Sequence, residues 1–119
     1  MKRSRGRTQV KRSLNKLETE FEKYLEVKKL ALDCHDVVYH SFEPVKLRLG
    51  PNWKTSYCPD FMVMDSHGFV TFYEVKGFWE DDARVKIKVA AEMYPLFRFV
   101  AVQKKNGAWI FESFPPHDA

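Results

Sequence analysis

Two periodicities of apolar residues divide the chain. Leu14, Leu17, Phe21, Tyr24 and Leu25, with Val27 and Leu30 beyond them, recur at three- and four-residue intervals, the spacing of one helical face. This predicts an amphipathic helix over residues 13–32, with Ser13 as N-cap. Its polar side is crowded with Glu18, Glu20, Glu22, Lys23 and Glu26. Shorter β-branched and aromatic runs follow. Residues 37–42 read as a strand, and 45–49 alternate apolar and basic residues, extending that strand or pairing with it. Gly50, Pro51 and Asn52 mark a loop. Residues 57–64 and 69–76 read as two strands joined by a hairpin turn at Asp65-Ser66-His67-Gly68. Pro59 implies an edge strand or a strand start. Asp81 or Asp82 then caps a helix that runs to about Tyr94, buries Ala83, Ile87, Ala90 and Ala91, and ends at Pro95. Strands over 97–103 and 108–114 flank a turn at Lys105-Asn106-Gly107. The expected order is α-β-β-β-α-β-β, an α/β (α+β) fold with a small mixed sheet flanked by helices.

The 119 residues suit one domain. With 45% hydrophobic and 30% charged residues the chain should fold. No apolar run approaches the roughly 20 residues needed to span a bilayer. The basic N-terminus lacks the apolar stretch of a secretory signal, so a cytoplasmic location is expected. Two cysteines, Cys34 and Cys58, are too few for a disulfide framework and read as small buried hydrophobes.

Charge sharpens the picture. The net charge is +4, but Lys2, Arg3, Arg5, Arg7, Lys11, Arg12 and Lys16 fall in the first 16 residues with no acid among them. The rest of the chain is net negative. Residues 1–13 thus read as a basic flexible arm ahead of a domain at 14–119. Such an arm suits contact with nucleic-acid phosphates, where each neutralised charge releases counterions; a solubilising leader is the plainer alternative.

Two segments carry chemistry, Pro59-Asp60-Phe61 and Glu74-Val75-Lys76-Gly77. Alternation places Asp60, Met62 and Met64 on one strand face, and Val70, Phe72, Glu74 and Lys76 on one face of the next. Two acids and a lysine converge near one end of a hairpin. Partly buried carboxylates raise each other's pKa, and a divalent cation relieves that repulsion. Mg²⁺, with Mn²⁺ as substitute, is typically held by one or two carboxylates plus substrate phosphate. Asp60 and Glu74 would be the ligands, the Val75 carbonyl would complete the shell, and Lys76 would orient a water or stabilise transition-state charge. Taken alone, the same residues also suit a turn and an exposed, salt-bridged strand. Glu18 lies at the edge of the first helix's buried face as a further carboxylate, with Glu22 as fallback. Arg84 and Lys88, one turn apart, with Lys86 on a neighbouring strip, suit a DNA backbone or a solvated face. Phe78 and Trp79 suit packing or a lid. His35, His40, His67 and His117 lack zinc-ligand spacing.

Pro59-Asp60, thirteen residues, then Glu74-Val75-Lys76 resembles the signature of the PD-(D/E)xK nucleases. The stretches Tyr57-Cys58-Pro59-Asp60-Phe61, Tyr73-Glu74-Val75-Lys76-Gly77-Phe78-Trp79-Glu80 and Asp81-Asp82-Ala83-Arg84 are similar to those of the junction-resolving endonuclease I enzymes of T-seven-like bacteriophages. So are Leu17-Glu18, Leu25-Glu26 and Tyr94-Pro95, and the likeness covers roughly residues 14–103. It implies a restriction-endonuclease-like core and a Mg²⁺-dependent endonuclease acting on branched DNA, notably four-way junctions, in the cytoplasm of a bacterial host. Asp60 and Glu74 would be metal ligands, Lys76 the catalytic lysine and Glu18 the helix carboxylate. It also implies a homodimer that swaps elements, with the helix of Glu18 serving the partner's site and residues 42–53 as the crossing. The chain departs from that family in its own N-terminal arm and in ending soon after Phe114. A less selective duplex or flap nuclease, or a catalytically silent DNA-binding module, are the alternatives.

Overall fold

The computed structural model describes residues 13–31, 35–52, 54–77 and 81–115. The first helix, α1, spans Lys16–Leu30, and its cap is Asn15 rather than Ser13. The Asn15 side chain accepts from the Glu18 N–H at 2.8 Å, and Glu18 Oε1 accepts from the Asn15 N–H at 3.0 Å. This capping box satisfies two helix-end donors at once. Ser13 has Lys16 three positions on, which cannot return the bond, so the helix begins later than the apolar period suggests. Beyond Leu30 the backbone of Ala31 is extended, and residue 32 lies outside the described residues.

Five strands form the main sheet, in the order β1-β4-β5-β6-β7. These are β1 (Tyr39–Phe42), β4 (Phe61–Met64), β5 (Val70–Val75), β6 (Arg98–Lys105) and β7 (Ala108–Phe114). All neighbours are antiparallel except β5 and β6, which are parallel and joined through α2 (Asp81–Met93). Parallel neighbours need such a crossover, whereas β4–β5 and β6–β7 are joined by tight turns. The β4–β5 turn is held by Asp65 Oδ1, which accepts from the N–H groups of His67 and Phe69 at 2.9 and 3.0 Å. At the β6–β7 turn Asn106 and Gly107 both have positive φ, 52° and 78°, as a two-residue hairpin of this hand requires.

The sequence expectation of one strand over 57–64 is corrected. The structure breaks it at Cys58-Pro59-Asp60 into β3 (Ser56–Tyr57) and β4, because Pro59 has no N–H to continue a ladder. The 45–49 segment does not extend β1. Its β2 (Leu47–Arg48) pairs with β3 in a separate two-stranded ribbon. The observed order is therefore α-β-β-β-β-β-α-β-β, an α+β domain with a mixed sheet and two helices.

Alternation along the strands sorts the core into two layers. Phe61, Val63, Val75 and Val102 pack with Phe21 and Leu25 of α1. Phe72, Phe99 and Ala101 pack on the opposite face with Ile87, Ala90 and Ala91 of α2, together with Leu47 and Tyr57 of the ribbon. No helix among the described residues is long and apolar enough to cross a membrane.

Candidate active site

The β4–β5 ladder pairs Phe61 with Tyr73, and one position further would set Asp60 against Glu74. There the ladder stops, and the Asp60 side chain takes over. Its Oδ2 accepts from the Val75 N–H at 2.8 Å, while its backbone carbonyl accepts from the Glu43 N–H at 2.7 Å. Asp60 is thereby fixed at both ends. Glu74 follows Phe72 on the α2 side of β5, as alternation requires, and its two oxygens have separate partners. The Tyr57 phenol donates to Oε1 at 2.8 Å, and the Lys76 ammonium lies 3.1 Å from Oε2. Lys76 is anchored to the sheet by its N–H, which donates to the Val102 carbonyl at 2.9 Å. Asp60, Glu74 and Glu18 are all buried, at 5%, 6% and 2% exposure. Three buried acids in one small domain are unusual, since burial disfavours charge.

Electrostatics follow from this placement. Burial pushes the Asp60 carboxyl up to about 7, and the negative charges of Glu74 and Glu18 add to that, against the opposing bond from the Val75 N–H and the charge of Lys76. Burial likewise raises Glu74, with Lys76 and the Tyr57 phenol pulling it back. For Lys76 burial acts downward, but the charge of Glu74 and its hydrogen bond outweigh it and the net shift is upward. Burial, then the neighbouring Glu74, drive the Tyr57 phenol far upward, so it remains a donor. The cluster is thus short of positive charge, and one ammonium does not neutralise it.

Glu18 reaches this group from α1 of the same chain, close enough to act on Asp60, Glu74 and Lys76. Its Oε1 also serves the helix cap. Glu22 instead faces β1, with Oε2 3.9 Å from Nε2 of His40. Among the described residues no three His, Cys, Asp or Glu side chains close into a ready metal cluster. What the site offers a cation is the carboxylate pair, a donor set typical of Mg²⁺, with remaining positions left to backbone, water and phosphate.

A cleft of about 290 Å³ opens beside Glu74. Tyr57, Cys58, Glu74 and Lys76 line its sheet side, and Asp82 and Lys86 its α2 side. Lys86, not Arg84 or Lys88, therefore shares the cleft with Glu74 and Lys76. Arg84 makes a bidentate pair with Glu112 of β7, at 3.0 and 2.7 Å, and stacks over Phe114. Lys88 and Lys16 are exposed. Cys58 is exposed too, which corrects its reading as a buried hydrophobe. Lys2, Arg3, Arg5, Arg7, Lys11 and Arg12, together with Cys34, Phe78, Trp79 and His117, lie outside the described residues.

Sequence reasoning missed one role here, that of Tyr57. Tyr57 looked like an ordinary strand aromatic, and nothing local ties it to a residue seventeen positions away. Of the three α2 cations that the sequence offered, Lys86 is the one that lines the cleft, on the strip of Asp82 and Ala83 and one turn from Asp82. No family model, curated protein or solved structure matches the chain.

Proposed function

We propose that the chain is a metal-dependent DNA endonuclease, built on a restriction-endonuclease-like core, that hydrolyses phosphodiester bonds in branched DNA. The observation that carries this reading is the buried pair Asp60 and Glu74, both displaced toward the neutral form, with Lys76 in contact with one of them. A purely structural role gives no reason to hold two carboxylates where burial opposes their charge. A divalent cation does, because it stabilises both as anions.

In this reading Asp60 and Glu74 hold Mg²⁺ or Mn²⁺, assisted by the Val75 carbonyl and by Glu18. The ion when bound supplies Lewis-acid polarisation of the phosphoryl group and lowers the pKa of water. The chain's own groups do the rest. Lys76 places a positive charge against the oxygens on which negative charge develops. The Asp60 side chain, tied to the Val75 N–H, keeps its orientation without reorganisation. Lys86, across the cleft, is placed to meet a neighbouring phosphate. The basic residues from Lys2 to Arg12 precede α1 in the sequence, Lys16 is its first residue, and charge of this kind suits contact with DNA phosphates. The antiparallel β4–β5 hairpin, the α2 crossover to parallel β6 and the covering α1 agree with the core that the motif implies. Branched DNA as substrate, a homodimer and a bacteriophage origin come into the proposal from the motif resemblance.

The test is cleavage with Mg²⁺ of a labelled four-way junction and a linear duplex of matching sequence, by wild type, Asp60→Asn and Glu74→Gln. Paired cuts near the branch point, abolished in both variants, are expected. Equal cutting of the two substrates would keep the nuclease and discard the preference for branches. Undiminished cutting by Asp60→Asn would discard the site.

A further inference from the structure

The two oxygens of Glu74 are held in different ways. Oε1 accepts from the phenol of Tyr57, a residue of 6% exposure packed in the α2-side core and tilted against Phe99. That phenol has no freedom to leave. Oε2 is met by the Lys76 ammonium, which ends a flexible stem and is 37% exposed at the side chain. The first partner is fixed and the second is exchangeable. A cation that approaches Glu74 from the cleft can displace an ammonium, since both are positive, but it cannot move a ring locked between β3 and the sheet.

We infer that Tyr57 is a positioning residue for the metal site: its buried phenol pins Oε1 of Glu74 and so sets the carboxylate plane, leaving Oε2 for a divalent cation in exchange for Lys76. The inference rests on the metal reading of Asp60 and Glu74 and adds two things to it. It assigns a role to a residue outside the acid–acid–lysine motif. It also makes Lys76 conditional, because the ammonium is released toward substrate phosphate only when a cation takes its place on Glu74. The β2–β3 ribbon gains a purpose as well. Leu47 pairs with Tyr57, and Leu49 donates to Thr55 at 2.8 Å, so the ribbon is the mount that holds the phenol against β5.

The experiment is Mn²⁺ binding to the full chain, followed by calorimetry and by the paramagnetic resonance of free ion, without DNA. Wild type, Tyr57→Phe, Glu74→Gln and a chain with 4-aminophenylalanine at position 57 are compared. Phenylalanine keeps the ring and its packing and removes only the donor, while the amino analogue restores an N–H donor in its place. Glu74→Gln should abolish binding. Tyr57→Phe should weaken it by about 10- to 100-fold, the usual effect of removing a hydrogen-bond partner of a metal ligand. The amino analogue should recover most of that affinity, which a packing role for position 57 would not produce. Wild-type affinity in Tyr57→Phe, with binding abolished in Glu74→Gln, overturns the role of Tyr57 and leaves the metal reading intact. Unchanged binding in Glu74→Gln, or none in wild type, overturns both. If Tyr57→Phe fails to fold, the amino analogue decides: affinity far below wild type in that folded chain overturns the inference.

Discussion

At the scale of single residues, the site is governed by a shortage of positive charge. Asp60 has an ordinary value of 3.8 and stands at about 7 in the fold. A raised acid binds more protons folded than unfolded, so its contribution to stability is present in full below the unfolded value and disappears as pH rises through the folded one. The metal-free protein should therefore be more stable toward urea at about pH 5 than at about pH 8, as far as this group governs the difference. Asp60→Asn should flatten that slope, and Mg²⁺ should restore stability at the higher pH. An unchanged slope in Asp60→Asn would count against the burial of a protonatable carboxyl. Lys76 gives a second test. Because it competes with a cation for Oε2 of Glu74, Lys76→Met should bind Mn²⁺ at least as tightly as wild type. Its cleavage rate should nonetheless fall by on the order of 10²–10³-fold, the usual effect of removing one transition-state donor. Weakened Mn²⁺ binding would show that the lysine supports the metal rather than competing with it.

At the scale of elements, one interaction ends α1 and another ties α2 to the sheet. Asn15 ends α1 with a reciprocal cap, and Asn15→Ala should cost about 1 kcal/mol in urea unfolding. The change removes only the side-chain acceptor of the Glu18 N–H; the backbone N–H of residue 15 still reaches Glu18 Oε1. The Arg84–Glu112 pair ties α2 to β7 through two hydrogen bonds and is about one-third exposed on the arginine side. Solvent screening limits its worth, and a double-mutant cycle on Arg84→Ala and Glu112→Ala should return a coupling of about 0.5–1 kcal/mol. Arg84 and Lys88 looked equivalent along the helix, yet the structure commits the first to Glu112 and turns Lys86 toward the cleft. Helical spacing identifies strips of residues. It does not say which strip meets the sheet edge, because that depends on how α2 is rotated by Ile87, Ala90 and Ala91 in the core.

At the scale of the whole molecule, charge is unevenly divided between the first 16 residues and the folded remainder. Removing residues 1–12 should weaken junction binding measured in Ca²⁺. It should also reduce the slope of log K against log salt by about 0.9 for each phosphate that the arm neutralises. An unchanged slope would assign the arm to solubility alone.

The helices, the β4–β5 hairpin and the β6–β7 hairpin were legible in the sequence because each is a local pattern: a 3.6-residue or 2-residue apolar period, with Asp65, Gly68, Asn106 and Gly107 as turn residues. The same alternation placed Asp60 with Met62, and Phe72 with Glu74, on shared faces, so the acid pair and Lys76 could be named before any fold was known. The tertiary structure alone decided the pairing of β2 with β3, the phenol of Tyr57 on Glu74 and the engagement of Arg84 by Glu112. Each of these depends on the packing of whole faces that the chain brings together from a distance, and local periodicity carries no record of which faces will meet.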